Sequence, residues 1–371
     1  MSLRPLVAFH APMKGPDHPV PSGDRTVARL YVAALRAAGF DIGIVGDFRS
    51  YDGRGDATRQ RDLIAAAEGE RARIAAEWAT RRPDLWFTYH LYHKAPDLLG
   101  PAMTAEFGIP YAIAEPSHAP KRAGGAWDAF FRLSEAAIRQ ADIAFITTAA
   151  DAECVAPLRR SKTSVRLSPF LDVAAHASVA QHADQSAPVR LVAVAMMRPG
   201  DKALSYELLA KALMLLMDMP WVLTIVGDGE AADSIREYFS PMADRVSFAG
   251  QISDGEQISS LLAASDLCVW PAVNEAFGMA LLEASAHGLP VVAGREGGVA
   301  EVVRDGVTGL LAAPRDPADF AAKLRLLLAD SALRRHMGAA GAAFVRAERS
   351  LDHAAALLRT TLMPLISRSA P

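Results

Sequence analysis

Apolar residues in this chain fall into short continuous runs, separated by longer stretches in which they recur every three or four positions. The runs Leu6 to Phe9, Phe40 to Val45, Leu85 to Tyr89, Tyr111 to Ala114, Ile143 to Thr147 and Thr163 to Leu167 predict a first set of strands. Helices are predicted from Ser22–Thr26 to Ala38 and from Ala57 to Thr80. Between Ser168 and Pro188 the pattern weakens into proline and a polar Ala/His/Gln stretch, which reads as a linker. Strand and helix then alternate again. Strands are expected at Val189 to Ala195, Trp221 to Val226, Val246 to Phe248, Leu267 to Trp270 and Gly288 to Ala293, and helices at Leu204 to Met217, Ala231 to Tyr238 and Glu256 to Ala263. Helices over Pro317 to Ala329, Ala332 to Val345 and Leu351 to Leu365 close the chain. Strands that are apolar throughout are buried on both faces, so the expected class is α/β with doubly wound parallel sheets.

Composition adds bounds. At 371 residues the chain exceeds the usual single-core size, and two lobes are expected. Lys and Arg number 39 against 42 Asp and Glu, a net charge of −3 with neither half polybasic, which argues against non-specific nucleic-acid binding. Two isolated cysteines, Cys154 and Cys268, point to a reducing compartment rather than a disulfide framework. No signal peptide precedes the first strand and no apolar run approaches 18 residues, so a cytoplasmic location is expected, with peripheral contact at a membrane left open.

The most informative stretch is Asn274-Glu275-Ala276-Phe277-Gly278-Met279-Ala280-Leu281-Leu282-Glu283. It lies between two strands, with Glu275 in the loop, Glu283 on the helix and a glycine where the helix begins. Free amides near Phe277, Gly278 and Met279 would form an anion site, and Gly278 would let a ligand approach the backbone. Two carboxylates flanking a phosphate site suit a nucleotide-sugar, which has hydroxyls at both ends. Arg198 and Lys202, four apart in another strand-to-helix loop, could clamp a diphosphate. Ser22-Gly23 marks a further strand-to-helix crossover, for which a helix cap is sufficient explanation. Gly227-Asp228-Gly229 resembles a fragment of a dinucleotide fingerprint but lacks the third glycine, which weakens the case for NAD. Gly297-Gly298 would permit either tight packing or close approach of a sugar. His90 and His93 have no accompanying ligand cluster, so no metal site is expected. His118 follows a strand end between prolines that fix its loop, on the edge where such sheets bind ligands.

These motifs together resemble glycosyltransferase family 4, most specifically over Trp270 to Pro314. There Glu275-Ala-Phe-Gly…Glu283, Gly288-Leu-Pro-Val-Val, Gly297-Gly298…Glu301-Val-Val and Asp305-Gly306…Thr308-Gly309 occur in the family's order. The resemblance implies a GT-B fold, two Rossmann-like lobes facing a central cleft. An acceptor lobe would span residues 1–170, with helix 350–371 packing back onto it. A linker at 171–188 and a nucleotide-sugar lobe at 189–349 would follow.

The resemblance also implies roles. Arg198 and Lys202 would bind the donor diphosphate and Glu275 the sugar hydroxyls. The amides of Ala276, Phe277 and Gly278 would hold sugar or phosphate oxygens, and Glu283 the ribose. Ile252 would lie where the base packs, Gly23 would approach the diphosphate, and His118 would line the reacting centre. Ala203 follows Lys202 where the family more often has glycine, a change in loop freedom that leaves the charge in place. The implied activity is retaining transfer of a hexosyl group from a nucleoside-diphosphate sugar to a saccharide, lipid-linked or small-molecule acceptor, as in cell-envelope polysaccharide synthesis, without metal or cofactor. The competing readings are a nucleotide-sugar epimerase, a sugar phosphorylase and a non-catalytic nucleotide-sugar binder.

Overall fold

The structure, a computed structural model, describes residues 4–20, 22–176 and 188–369, and the chain divides into two compact units. The first comprises residues 1–168 and 351–371. It runs β1 (Leu6–His10), α1 (Gly23–Ala37), β2 (Asp41–Ile44), α2 (Ala57–Trp78), β3 (Leu85–Tyr89), α3 (Gly100–Phe107), β4 (Tyr111–Ala114), α4 (Asp128–Gln140), β5 (Ile143–Ile146), α5 (Ala149–Val155) and β6 (Thr163–Arg166). All six strands are parallel, in the order β2-β1-β3-β4-β5-β6. The central strands β3, β4 and β5 are buried at every position, whereas the edge strands β2 and β6 are largely half-buried or exposed. Burial on both faces is therefore a property of the sheet centre, and the edges relax it.

Residues 169–350 form the second unit. Its elements are β7 (Val189–Val194), α6 (Asp201–Met214), β8 (Trp221–Val226), α7 (Ala232–Tyr238), β9 (Val246–Gly250), α8 (Gly255–Ala263), β10 (Leu267–Trp270), α9 (Met279–Ala286), β11 (Val291–Gly294), β12 (Gly309–Ala312), α10 (Pro317–Ala329) and α11 (Ser331–Glu348). Again six parallel strands form one sheet, in the order β12-β11-β10-β7-β8-β9. Contrary to the expectation that its strands are apolar throughout, β9 alternates half-buried and exposed positions, because it is an edge strand. Leu171, inside the stretch read as a linker, is buried in this unit's core, and its amide donates to the Arg349 carbonyl at 2.9 Å. Residues 177–187 of that stretch lie outside the described residues.

The last helix, α12 (Leu351–Ser369), belongs to the first unit. Ala354, Leu358 and Leu362 are buried, and the Arg359 guanidinium donates to the Ala38 carbonyl at the end of α1 at 2.9 Å. A second buried arginine ties this unit's far edge. Arg159 donates to the carbonyls of Ile138 (2.7 Å), Ala141 (2.9 Å), Thr163 (2.6 Å) and Asp142 (3.3 Å), joining the end of α4 to the start of β6. Burial pushes its pKa down to about 10 against the pull of the Asp142 charge, and the four carbonyls give the guanidinium its hydrogen bonds inside. Replacing it by methionine strands these acceptors. Arg159→Met is expected to destabilise the first unit by about 3 kcal/mol, read as a lower urea midpoint for its unfolding.

Candidate active site

The strand order of the second sheet reverses between β7 and β10, so the loops leaving the C-terminal ends of those strands frame the crevice in which open α/β sheets bind ligands. Arg198 and Lys202 come from the first of these loops and its helix, Glu275 to Gly278 from the second. Lys202 was expected in the loop. It lies instead in the first turn of α6, because Gly200, at φ 84°, starts the helix at Asp201, three residues ahead of the apolar periodicity.

The Lys202 ammonium pairs with the Glu275 carboxylate. Glu275 also accepts from the Trp270 indole N–H at 3.1 Å, and Lys202 sits 5.4 Å from the centre of the same indole. Trp270 is fixed in turn against Tyr206 (4.9 Å, 75°), whose hydroxyl donates to the Ala195 carbonyl at 2.7 Å. Asn274 donates to Asp201 at 2.9 Å, a further tie between the two loops. Arg198 is exposed and forms no ion pair among the described residues.

The helix start behaves as its sequence suggests. Gly278 caps α9 at φ 74°, and the amides of Ala276, Phe277 and Gly278 donate to no acceptor among the described residues. Phe277 packs on the unit's core while Ala276 is exposed. Glu283 lies within α9, and burial pushes its carboxyl up to about 7; Ile252 is half-buried in the loop between β9 and α8.

The glycine pairs have a packing explanation. A Cβ on Gly297 would lie 1.8 Å from the Glu275 carbonyl oxygen, and the Gly298 amide donates to the Ala276 carbonyl at 2.7 Å. Of the two readings of Gly297-Gly298, tight packing is therefore the one the contacts support. A Cβ on Gly227 would lie 1.9 Å from the Ala195 oxygen, and one on Gly229 would lie 2.4 Å from that of Met197. Close backbone approach thus accounts for the fragment that resembles a dinucleotide fingerprint.

In the first unit the order reverses between β1 and β3. Gly23 opens α1, with Ser22 accepting from the Arg25 amide at 3.3 Å. His118 is drawn into its own unit: Nδ1 donates to the Cys154 carbonyl at 3.1 Å, Nε2 is 3.8 Å from Glu135, and the ring stacks on Phe131 at 5.2 Å. The residues with reactive surroundings are two that sequence reasoning did not select. His90 and Glu115 end adjacent strands at φ 58° and 52°, conformations that side chains avoid unless the surroundings enforce them. His90 contacts Asp24 at 3.1 Å. Burial opposes its charged form, but the Asp24 hydrogen bond and the Glu115 charge outweigh this and hold its pKa up. Burial pushes the Glu115 carboxyl up to about 7, against the pull of His90. An acid directly after the apolar run Tyr111 to Ala114 was the available signal. Among the described residues, no three His, Cys, Asp or Glu side chains are grouped to hold a metal.

Residues 188–330 match the family model described as Glycosyl transferases group 1. Over 89 residues the chain is 48% identical to D-inositol 3-phosphate glycosyltransferase of Geodermatophilus obscurus, covering 23% of this chain and 20% of that protein. Over 121 residues it is 36% identical to sulfoquinovosyl transferase SQD2 of Arabidopsis thaliana, covering 32% and 23%. These matches thus span about a fifth of the relatives' length. Among solved structures, sucrose-phosphate synthase of Thermosynechococcus elongatus superposes with a TM-score of 0.77 at 21% identity, covering 98% of this chain and 100% of that one. Anabaena HepE in complex with UDP and glucose gives 0.70 at 16%, covering 97% and 99%. The fold is that of the GT-B glycosyltransferases.

The raised Glu283 carboxyl makes a prediction about stability. A carboxyl whose pKa is higher folded than unfolded stabilises below its unfolded value, near 4.5, and loses that contribution as pH rises through about 7. Glu283→Gln removes the penalty. At pH 8 the variant is expected to be more stable than wild type by up to about 3 kcal/mol, with the gap closing by pH 4, as read by urea unfolding at both pH values.

Proposed function

With residues 188–330 forming a Glycosyl transferases group 1 domain, we propose that this protein is a retaining glycosyltransferase that moves a hexosyl group from a nucleoside-diphosphate sugar to a saccharide, lipid-linked or small-molecule acceptor. The observation that carries the reading is the Lys202–Glu275–Trp270 cluster beside the free amides that open α9, at the reversal point of the second sheet. A cation, a carboxylate and unpaired N–H groups within one loop pair match, in turn, a diphosphate, sugar hydroxyls and phosphate oxygens. HepE is a structural relative named in complex with UDP-glucose, which supports a nucleoside-diphosphate donor.

In this reading the bond from the anomeric carbon to the diphosphate oxygen breaks and its electron pair leaves with the diphosphate. Arg198, Lys202 and the α9 amides oppose the charge that grows there, so no metal is required of the site. The acceptor hydroxyl forms the new bond on the face the diphosphate leaves, and its proton passes to a leaving phosphate oxygen. Glu275 orients the sugar and Glu283 the ribose. Gly23 and Ile252 keep the donor-contacting places that the family resemblance gives them. The reading does not rest on His118. We place the protein in the cytoplasm or at the inner membrane face; no helix among the described residues is long and apolar enough to span a membrane.

Two measurements test this. Glu275→Ala removes the hydroxyl holder and releases Lys202 from its partner. Turnover is expected to fall by about 10² to 10⁴, for two contacts of about 1.5–3 kcal/mol each, while nucleoside diphosphate binds at least as tightly by calorimetry. Wild-type turnover in that variant would remove the sugar-binding role. Activity is also expected to survive excess chelator, and its loss there would overturn the metal-free charge balance.

A further inference from the structure

A group of cations in the first unit lies outside the residues assigned to the donor. His93 and Lys94 stand in the loop after β3, and Lys121 and Arg122 in the loop after β4, both at the C-terminal edge of the sheet. The Ser117 amide ties the two loops by donating to the Leu91 carbonyl at 3.0 Å. Lys94 and Arg122 lie over the Trp127 indole at 5.2 and 5.3 Å, and the His93 ring meets the same indole edge-on at 5.8 Å. Trp127 is pinned through its N–H to the Asp52 carbonyl at 2.9 Å, while the Asp52 amide donates to the Lys94 carbonyl at 2.8 Å.

Among the described residues, none of Lys94, Lys121 and Arg122 has an ion pair. The acids of the neighbouring loops are committed elsewhere. Asp52 accepts from the amides of Arg54, Gly55 and Asp56 and from Gln60, and Asp128 from the Gly124 amide and Arg132. Two nitrogens at the centre, His93 Nε2 and Arg122 Nε, are buried with no hydrogen-bond partner. Burial, then Arg122, Lys94 and Lys121, pushes the His93 imidazole down to about 4, so it is neutral at pH 7 and leaves two like charges on the Trp127 ring, with a third, Lys121, near His93. Such an arrangement costs stability unless a counter-charge completes it.

We propose that His93, Lys94, Lys121, Arg122 and Trp127 form an anion site that takes a phosphate group carried by the acceptor. A phosphate dianion offsets two of the three positive charges, and its three oxygens can be divided between the arginine fork and two ammonium groups. A single carboxylate would leave two of the cations uncompensated. The anion site stands on the geometry alone; that its ligand is the acceptor rests on the glycosyltransferase reading.

The test uses the full chain without donor, so it is independent of turnover, which is measured separately as release of nucleoside diphosphate. Probes are inorganic phosphate, glucose 6-phosphate, and vesicles of phosphatidylglycerol against phosphatidylcholine. Binding is followed by NMR of the His93 imidazole, whose pKa should rise when the anion binds. Arg122→Gln and Lys94→Gln should each weaken binding by about tenfold or more, with circular dichroism melts showing that both fold; Lys121→Gln, at an exposed position, provides a variant without fold risk. Saturable, Arg122-dependent binding of the soluble phosphates supports the site with a free phosphorylated acceptor. The same dependence seen with phosphatidylglycerol vesicles alone supports it with a lipid headgroup. No saturable binding of any probe, or equal binding by wild type and all three variants, overturns it.

Discussion

The second unit depends on a backbone contact that tolerates no side chain. Gly294 and Gly297 bring the turn after β11 against the carbonyls of Pro271 and Glu275, where a Cβ would fall at 2.0 and 1.8 Å. Neither position can accept even alanine without moving the loop that carries Glu275. Gly297 is doubly constrained, since its φ of 55° is one that side chains rarely adopt. The amide of Gly298 then closes the contact by donating to the Ala276 carbonyl. The effect is to hold the Asn274–Gly278 turn from behind, where Glu296 also accepts from the Asn274 amide at 2.9 Å, while the amides of Ala276, Phe277 and Gly278 stay unused among the described residues and the Glu275 carboxylate pairs with Lys202. Site geometry is thus set by the packing of strand ends, and the side chains of Asp201, Trp270 and Glu296 add to it.

The two units use charge differently at their reversal points. In the second, the cation and the carboxylate neutralise each other around Trp270. In the first, cations gather on Trp127 with no counter-charge among the described residues, and a few residues away Glu115 is buried beside the His90–Asp24 pair. A neutralised pair is stable as it stands and can exchange partners. An unbalanced cluster gains most from a ligand that brings the missing charge. The contrast fits a donor that carries both hydroxyls and phosphates and an acceptor group that carries phosphate.

Much of the architecture was legible because buried parallel strands advertise themselves. Leu85–Tyr89, Tyr111–Ala114, Trp221–Val226 and Leu267–Trp270 fall where the apolar runs place them, as does the helix Pro317–Ala329 with Asp316 accepting from the Ala318 and Asp319 amides. Legibility failed where burial and periodicity part company. The edge strand β9 alternates, and β12 is only four residues long, Gly309–Ala312, within a stretch read for its motif. The short helices α3 and α5 span too few turns for a period to show. At the sites, residue types were readable and partners were not. Nothing in the spacing of Lys202 and Glu275 announces a 73-residue ion pair, and nothing at His118 announces that Cys154 and Phe131 would enclose it.

The ion pair has a consequence for binding. Lys202 and Glu275 are each only partly exposed, with side chains 27% and 17% accessible. Their mutual contact therefore offsets the cost of keeping both charges in a partly dry site before any ligand arrives. A ligand that offered phosphate alone would compete with Glu275 for Lys202 and leave the carboxylate with only the Trp270 N–H. A ligand that offered hydroxyls alone would leave the cation without gain. A nucleotide-sugar supplies both at once, so neither group is stranded when the pair opens. If the site takes a nucleotide-sugar, as proposed, discrimination against free phosphate and free sugar follows from the penalty for leaving one half-buried charge of the pair unpaired.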